Sequence, residues 1–371
     1  MSFGHEAVTA AVLHEQGGAF AIEQLSIERP RPDEILVQVV ATGVCHTDAM
    51  FRAQGRGLSL PVVLGHEGAG IVLEVGDAVT KVVAGDHVVL TFATCGACRY
   101  CQSGHPSTCS TAKVLNFSGA RLDGSHALHG AGIVHDRFFG QSSFATHAIA
   151  TERNVVKVPK DVSLKHLGAL GCGIQTGAGA VLNVLKVAPG SSIAVFGCGG
   201  VGSSALMAAR VAGATTIIAV DLVASRRSLA MDIGATHAID GGAGDIVEEI
   251  GKICPGGVDF AVDTTGRANV VTGAIRALAP HGTCGVIAAA DETMNASINL
   301  REMYQTGKRI VGISEGDSVP DIFIPKLVEL YRQGRFPIDR LYTFYPLSEI
   351  NAAFADAESG VAVKPVLEMP V

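Results

Sequence analysis

From about residue 174 onward, short uninterrupted apolar runs alternate with helix-length stretches, and this pattern constrains the fold more than any other feature. Ser192-Ile193-Ala194-Val195-Phe196 runs into Gly197, and residues 201–212 then read as an apolar helix. Residues 216–221, 258–263 and 285–288 are further apolar runs, and 225–233 is a second helix. Strands with no polar alternation need cover on both faces, so the order strand–helix–strand predicts an α/β, doubly wound parallel sheet. The first third is β-rich instead. Residues 34–40, 69–76 and 86–90 alternate or are short, and end at Gly or polar residues. Helices are expected at 324–333 and 347–359 near the end of the chain.

At 371 residues the chain exceeds one ordinary core, so two domains are expected. Apolar residues make up 48% and charged residues 17%, a composition that folds. A net charge of -7 without a basic stripe argues against nucleic acid or an anionic membrane as partner. No apolar run reaches the roughly 18–20 residues of a membrane span. The opening Met1-Ser2-Phe3-Gly4-His5-Glu6 lacks the basic and apolar regions of a signal peptide, so a cytoplasmic protein is expected.

Gly197-Cys198-Gly199-Gly200-Val201-Gly202 follows a predicted strand and opens a predicted helix. In that context G-x-G-x-x-G is the Rossmann fingerprint. The first Gly makes the tight turn, the second admits a pyrophosphate to the backbone, and the third lets helix and strand pack closely. The helix N-terminus then favours the phosphates. Asp221 ends the next strand nineteen residues beyond Gly202, where a carboxylate accepts the ribose hydroxyls of NAD and repels the extra phosphate of NADP. Arg226 and Arg227 follow it, and are read equally well as an adenosine-ribose contact or as a solvated helical turn.

Cys95-x2-Cys98-x2-Cys101-x7-Cys109 brings four thiols together in a Gly-, Pro- and Ser-rich stretch. A closed tetrahedral S4 zinc site fits this spacing, with rubredoxin-like iron or paired disulfides as the alternatives. A closed site does no chemistry, so a catalytic metal needs other ligands. Gly65-His66-Glu67-Gly68, Cys45 twenty-one residues before His66, and Cys172 between Gly171 and Gly173 offer two thiolates and an imidazole. Three such ligands leave a fourth position open. Spacing does not show that they converge.

Gly43-Val44-Cys45-His46-Thr47-Asp48, Gly65-His66-Glu67-Gly68-Ala69-Gly70, the four-cysteine stretch, residues 170–177 and the glycine fingerprint together resemble the zinc-dependent medium-chain alcohol dehydrogenases, over essentially the whole chain. The resemblance implies a GroES-like β-rich catalytic domain over residues 1–173, a Rossmann NAD-binding domain over 174–314, and a return to the catalytic domain over 315–371. It implies two zinc ions per subunit: a catalytic one on Cys45, His66 and Cys172, and a structural one on Cys95, Cys98, Cys101 and Cys109. Asp48 would hydrogen-bond His66 and fix its tautomer, and Glu67 would sit behind the metal. Thr47 would relay the alcohol proton. His46 would contact the pyrophosphate and Thr176 the nicotinamide. The implied chemistry is alcohol oxidation, in which zinc lowers the pKa of the alcohol and the alkoxide gives hydride to the nicotinamide. The resemblance also implies a homodimer or homotetramer.

Two positions depart from the family pattern. Met50 stands where many members carry the His that ends the proton relay, so the hydride step is expected to lack an ionisation in the ordinary histidine range. Lys364 stands where relatives often have Arg; at a pyrophosphate it would act as a point charge rather than a fork. Residues 116–120 and 138–146 are most similar to the aryl-alcohol branch, whose substrates are primary aromatic or allylic alcohols of benzyl, cinnamyl or geranyl type. Phe92 is a candidate for an apolar substrate pocket, whereas Met294 and Ile298 are expected to pack in a core. The rival within the family is a glutathione-dependent formaldehyde dehydrogenase. That branch carries acidic residues in the loop where this chain reads Phe51-Arg52-Ala53-Gln54-Gly55-Arg56-Gly57, although Lys113 could mimic its cation. A reading of another class, a non-catalytic dinucleotide-binding protein, would leave gaps among Cys45, Thr47, His66, Glu67 and Cys172; all are present.

Overall fold

The computed structural model describes residues 5–287 and 294–370, and two compact units emerge from it. The first comprises the chain up to Cys172, Val319–Arg332 and the segment from Tyr342 on; the second comprises Gly173–Ser318 and Gln333–Leu341. The chain passes from one unit to the other after Cys172 and Ser318, with one further exchange. Residues 333–341 belong to the second unit because Ile338 and Leu341 are buried and Arg340 pairs with Asp232 there.

In the first unit, His5–Leu13 and Phe20–Glu28 pair antiparallel in a four-stranded sheet. A seven-stranded sheet holds Glu34–Gly43, Gly68–Val75, His87–Leu90, His147–Thr151 and Val155–Val158. Its remaining strands come from the end of the chain. Lys364–Glu368 pairs antiparallel with Glu34–Gly43, placing Val366 opposite Gly43, and runs parallel to Tyr342–Pro346. One apolar core joins the unit, from Val8 and Leu13 through Phe138 and Phe144 to Phe354 and Leu367. Phe20, Phe144 and Phe354 meet within it, with ring centroids 5.1–5.9 Å apart.

The second unit is the expected doubly wound sheet. Six strands run parallel in the order His237–Asp240, Thr216–Asp221, Ser192–Phe196, Val258–Asp263, Leu278–Val286 and Arg309–Gly312. The strand order reverses beside Ser192–Phe196, and ligands of such sheets bind beyond the strand ends at that point. The predicted strand at 285–288 is the end of Leu278–Val286, and Ala288 lies outside the described residues. The Gly200–Ala212 helix buries an almost continuous row, Gly202 to Ala209, and stops at Gly213 in the left-handed region. Small residues on that row let the helix lie close to the sheet. Among the described residues no helix is long and apolar enough to cross a membrane.

Candidate active site

Cys45 is the N-cap of the His46–Gln54 helix. Asp48, third in that helix, accepts from the Cys45 backbone N–H at 3.1 Å, which secures the helix start. The same carboxylate reaches outward. Its Oδ1 accepts from Gly65 N at 3.1 Å and from His66 Nδ1 at 3.0 Å, and both Asp48 and His66 are fully buried. A carboxylate only accepts, so Nδ1 carries the ring proton and Nε2 presents its lone pair. Gly65 makes the approach possible. Its φ is +91°, and a Cβ there would come within 2.4 Å of Phe144 N.

Ligand atoms of Cys45, His66, Glu67 and Cys172 all lie within 4.8 Å of one another. Cys172 reaches the group from the end of a short helical turn, Gly168–Gly171, whose Gly171 carbonyl accepts from Thr91 Oγ1 at 2.7 Å. The buried Nε2 of His66 has no hydrogen-bond partner among the described residues. Two thiols, a lone imidazole nitrogen and a carboxylate so arranged fit a zinc ion. Thr47 Oγ1 lies 3.8 Å from Cys45 Sγ, at the edge of the set, and His46 is exposed.

Electrostatics of the site suit the same reading. The hydrogen bond with Cys172, helped by the charges of Lys364 and His66, holds the Cys45 thiol well below its usual range despite burial. Burial opposes charge on His66, but Asp48 and Cys45 outweigh it and raise its pKa well above the ordinary value. A cation bound by these residues would take the place of that proton. Burial, with the Cys45 charge, pushes the Glu67 carboxyl up to about 7 against the pull of Lys364. Lys364 is itself buried; its ammonium lies 2.5 Å from Glu67 Oε2 and donates to the Val44 carbonyl at 3.1 Å.

A second cluster, Cys95, Cys98, Cys101 and Cys109, also has its sulfurs within 4.8 Å of one another. Backbone N–H groups of Cys95 and Cys98 point at sulfurs of the cluster, at 3.4 and 3.3 Å. Backbone hydrogen bonds from Cys101 and Ser110 lower the Cys98 thiol to about 5, whereas burial and the Cys98 contact raise Cys101 to about 12. Four sulfurs so gathered fit a closed tetrahedral zinc site.

In the second unit, Gly197 turns with φ +88° and a Cβ on Gly202 would strike the Gly197 carbonyl at 1.8 Å. Around Gly199 the space is open, and this N-cap offers no side chain to the first N–H groups of the helix. Gly200 and Val201 lie half-buried in that first turn. Asp221, at the end of its strand, accepts from Cys198 N at 2.7 Å and Val223 N at 2.8 Å. These features fit a dinucleotide. Arg227 is engaged by the carbonyls of Asp221 and Leu222 and by Asp240, and Arg226 is half-buried beside it. Thr176 Oγ1 lies 3.4 Å from Glu315 Oε2.

Family comparison agrees with this geometry across both units. Residues 31–160 match the alcohol dehydrogenase GroES-like domain, and residues 200–331 match the zinc-binding dehydrogenase domain. The chain belongs to the zinc-dependent medium-chain alcohol dehydrogenases. The dehydrogenase is 46% identical to a geraniol dehydrogenase of Castellaniella defragrans over 361 residues, 96% of each chain. Its fold is similar to a benzyl alcohol dehydrogenase of Acinetobacter calcoaceticus, with TM-score 0.96 and 47% identity over 98% of this chain and all of that one. It is also similar to an alcohol dehydrogenase zinc-binding domain protein of Burkholderia ambifaria, with TM-score 0.98, 54% identity, and 99% and 100% covered. The dehydrogenase lies in the aryl-alcohol and geraniol branch of its family.

Other expectations meet the dehydrogenase structure unevenly. Phe92 is buried in the apolar core of the first unit. Met294 and Ile298, expected in a core, are 46% and 43% exposed instead, because the segment after residue 293 forms no regular element until Leu300. Gln141 carries no ligand signature in sequence, yet it touches the site directly. Its Nε2 donates to the His66 carbonyl at 3.0 Å and its Oε1 accepts from Gly68 N at 3.1 Å. Only the likeness of residues 138–146 to one branch pointed to this stretch.

Proposed function

We propose that this dehydrogenase oxidises primary aromatic or allylic alcohols of benzyl, cinnamyl or geranyl type to aldehydes, with NAD as hydride acceptor. The gathering of Cys45, His66, Glu67 and Cys172 within 4.8 Å carries the reading. Cys45, His66 and Cys172 would hold the catalytic zinc, and the four-cysteine cluster would hold a structural one. Zinc bound there supplies a Lewis acid that lowers the pKa of the alcohol hydroxyl. Asp48 holds the imidazole in the tautomer that presents Nε2. Thr47 takes the alcohol proton at Oγ1, and buried Met50 offers no imidazole to carry it on, so the proton passes to water or another group. Glu67 sits behind the ligands with Lys364 as its counter-ion.

Asp221 favours NAD, since its carboxylate would repel a 2′-phosphate. Thr176, Gly197, Gly199, Gly200, Val201, Gly202 and Arg226 would complete the cofactor site of the second unit. The names of the geraniol and benzyl alcohol dehydrogenases support the substrate class. The formaldehyde dehydrogenase alternative is disfavoured by residues 51–57, which hold no carboxylate. A homodimer or homotetramer belongs to the same reading. The test is a kcat/KM panel with NAD and NADP over benzyl, cinnamyl, geranyl and short aliphatic alcohols and S-hydroxymethylglutathione. The expected order puts the first three with NAD on top; faster turnover of S-hydroxymethylglutathione overturns it.

A further inference from the structure

The loop from Arg137 to Ser142 is the most contorted segment of the first unit. Arg137, Phe139 and Ser142 all have positive φ, at +67°, +52° and +51°, although none is glycine. A bulky residue in the left-handed region is uncommon, because its Cβ crowds the backbone there. Such strain persists only where surrounding contacts over-determine it.

Many of the contacts that hold this loop run to the segment that carries His66. Ser142 Oγ donates to the Val63 carbonyl at 2.6 Å, Phe144 N to Leu64 O at 3.0 Å, and Ser143 N to Gly65 O at 2.9 Å. Gln141 closes the row, bridging His66 O and Gly68 N. From the other side, Asn154 Nδ2 donates to the Gly140 carbonyl at 3.1 Å. The loop is therefore strapped residue by residue to positions 63–68.

What the strain delivers is a ring. Phe139, 6% exposed, stacks on the His66 imidazole with centroids 4.3 Å apart and planes 23° from parallel. Phe138 meets the same imidazole edge-on at 5.5 Å and 85°. Phe117 backs Phe139 at 5.1 Å and 87°. Asp48 fixes the imidazole within its plane through Nδ1, but one hydrogen bond leaves the ring free to tilt about that bond. A flat face pressed on the ring removes the tilt.

We propose that Phe139 is a positioning residue: held in a left-handed backbone by the Gln141 and Asn154 contacts, it fixes the plane of the His66 imidazole and so aims Nε2 at the metal. The proposal rests on the reading of His66 as a zinc ligand. It assigns Phe139 a task that an apolar residue without a flat face does not perform.

The test compares Phe139→Leu, which keeps apolar bulk but loses the flat face, with Phe139→Tyr, which keeps it. Zinc release to a chromogenic chelator is followed without substrate, and the visible spectrum is recorded with cobalt at the site. In F139L one of two zinc ions should leave about tenfold faster, in the range seen when groups that orient a ligand are lost. Its cobalt bands should shift, while the four-cysteine zinc leaves at the wild-type rate and reports an intact fold. F139Y should match wild type in both readouts. Where F139L does not fold, Phe139→Met takes its place with the same expectations. Two zinc ions bound, with wild-type release and unshifted bands in the Leu or Met variant, overturn this inference alone. A wild-type protein that binds no zinc outside the four-cysteine cluster overturns the function reading as well.

Discussion

Lys364 Nζ lies 2.5 Å from Glu67 Oε2, and both side chains are buried. Removing one partner of a buried ion pair leaves the other charge uncompensated, at a cost of about 3–5 kcal/mol. Lys364→Met should therefore lower the stability measured by urea unfolding by that amount. Adding Glu67→Gln should recover most of it. A double variant as unstable as the sum of the two singles would show that the pair is not coupled.

Two cysteine substitutions should separate the two clusters. Cys101→Ser opens the four-sulfur cage and should remove one zinc per chain with a fall in Tm, since structural zinc contributes directly to folding. Cys172→Ser should also remove one zinc but leave Tm nearly unchanged, while alcohol oxidation falls more than about 100-fold. Metal analysis and thermal melts on both variants decide it; a large drop in Tm for C172S alone would reverse the assignment.

Asp136 gives stability a pH slope. Its carboxylate accepts from Ala127 N and Leu128 N, yet burial pushes its pKa up to about 6 from 3.8. Between those values the folded chain binds more proton than the unfolded one, so stability falls as pH rises from about 4 to 6 and the loss is complete above about 6. The raised value corresponds to about 3 kcal/mol. Asp136→Asn cannot ionise and should flatten this part of the profile; an unchanged slope by chemical unfolding across pH 4–6 would assign it to another group.

The cofactor preference should follow Asp221. Asp221→Ser removes the acceptor of the Cys198 and Val223 N–H groups together with the charge that repels a 2′-phosphate. The ratio of kcat/KM with NAD to that with NADP should drop about tenfold or more, equivalent to about 1.4 kcal/mol. A ratio that stays at the wild-type value would place the discrimination elsewhere.

Met50 is buried within the His46–Gln54 helix and cannot ionise. The hydride step, read by single-turnover kinetics, should show no ionisation near 6.5–7, the ordinary histidine range. A clear single ionisation there would mean that another imidazole ends the relay.

Three of the six strands of the second unit were legible in sequence because they are buried on both faces. Ser192–Phe196, Thr216–Asp221 and Val258–Asp263 stand where their apolar runs stand. Of Leu278–Val286 only the end was visible, since Pro280-His281-Gly282 interrupts the run and His281 takes a φ of +63°. His5–Leu13 and Phe20–Glu28 went unseen, because Ala, Thr, Gln and Glu dilute their apolar alternation. Within the site, the four-cysteine cluster was readable from spacing alone. Cys45, His66 and Cys172 come from three separate segments, so only resemblance linked them. Nothing local announces that Gln141 grips His66, seventy-five residues away, or that Lys364 meets Glu67 across the sheet.

The pairing of Lys364–Glu368 with Glu34–Gly43 also bears on synthesis. On the ribosome, Cys45 and His66 emerge early, Cys172 follows near the middle of the chain, and the whole second unit is made before the strand that bears Lys364. Until that strand arrives, Glu67 lacks its counter-ion and Glu34–Gly43 lacks one neighbour. The candidate site is therefore completed only late in synthesis, although Cys45, His66 and Glu67 all lie in the first fifth of the chain.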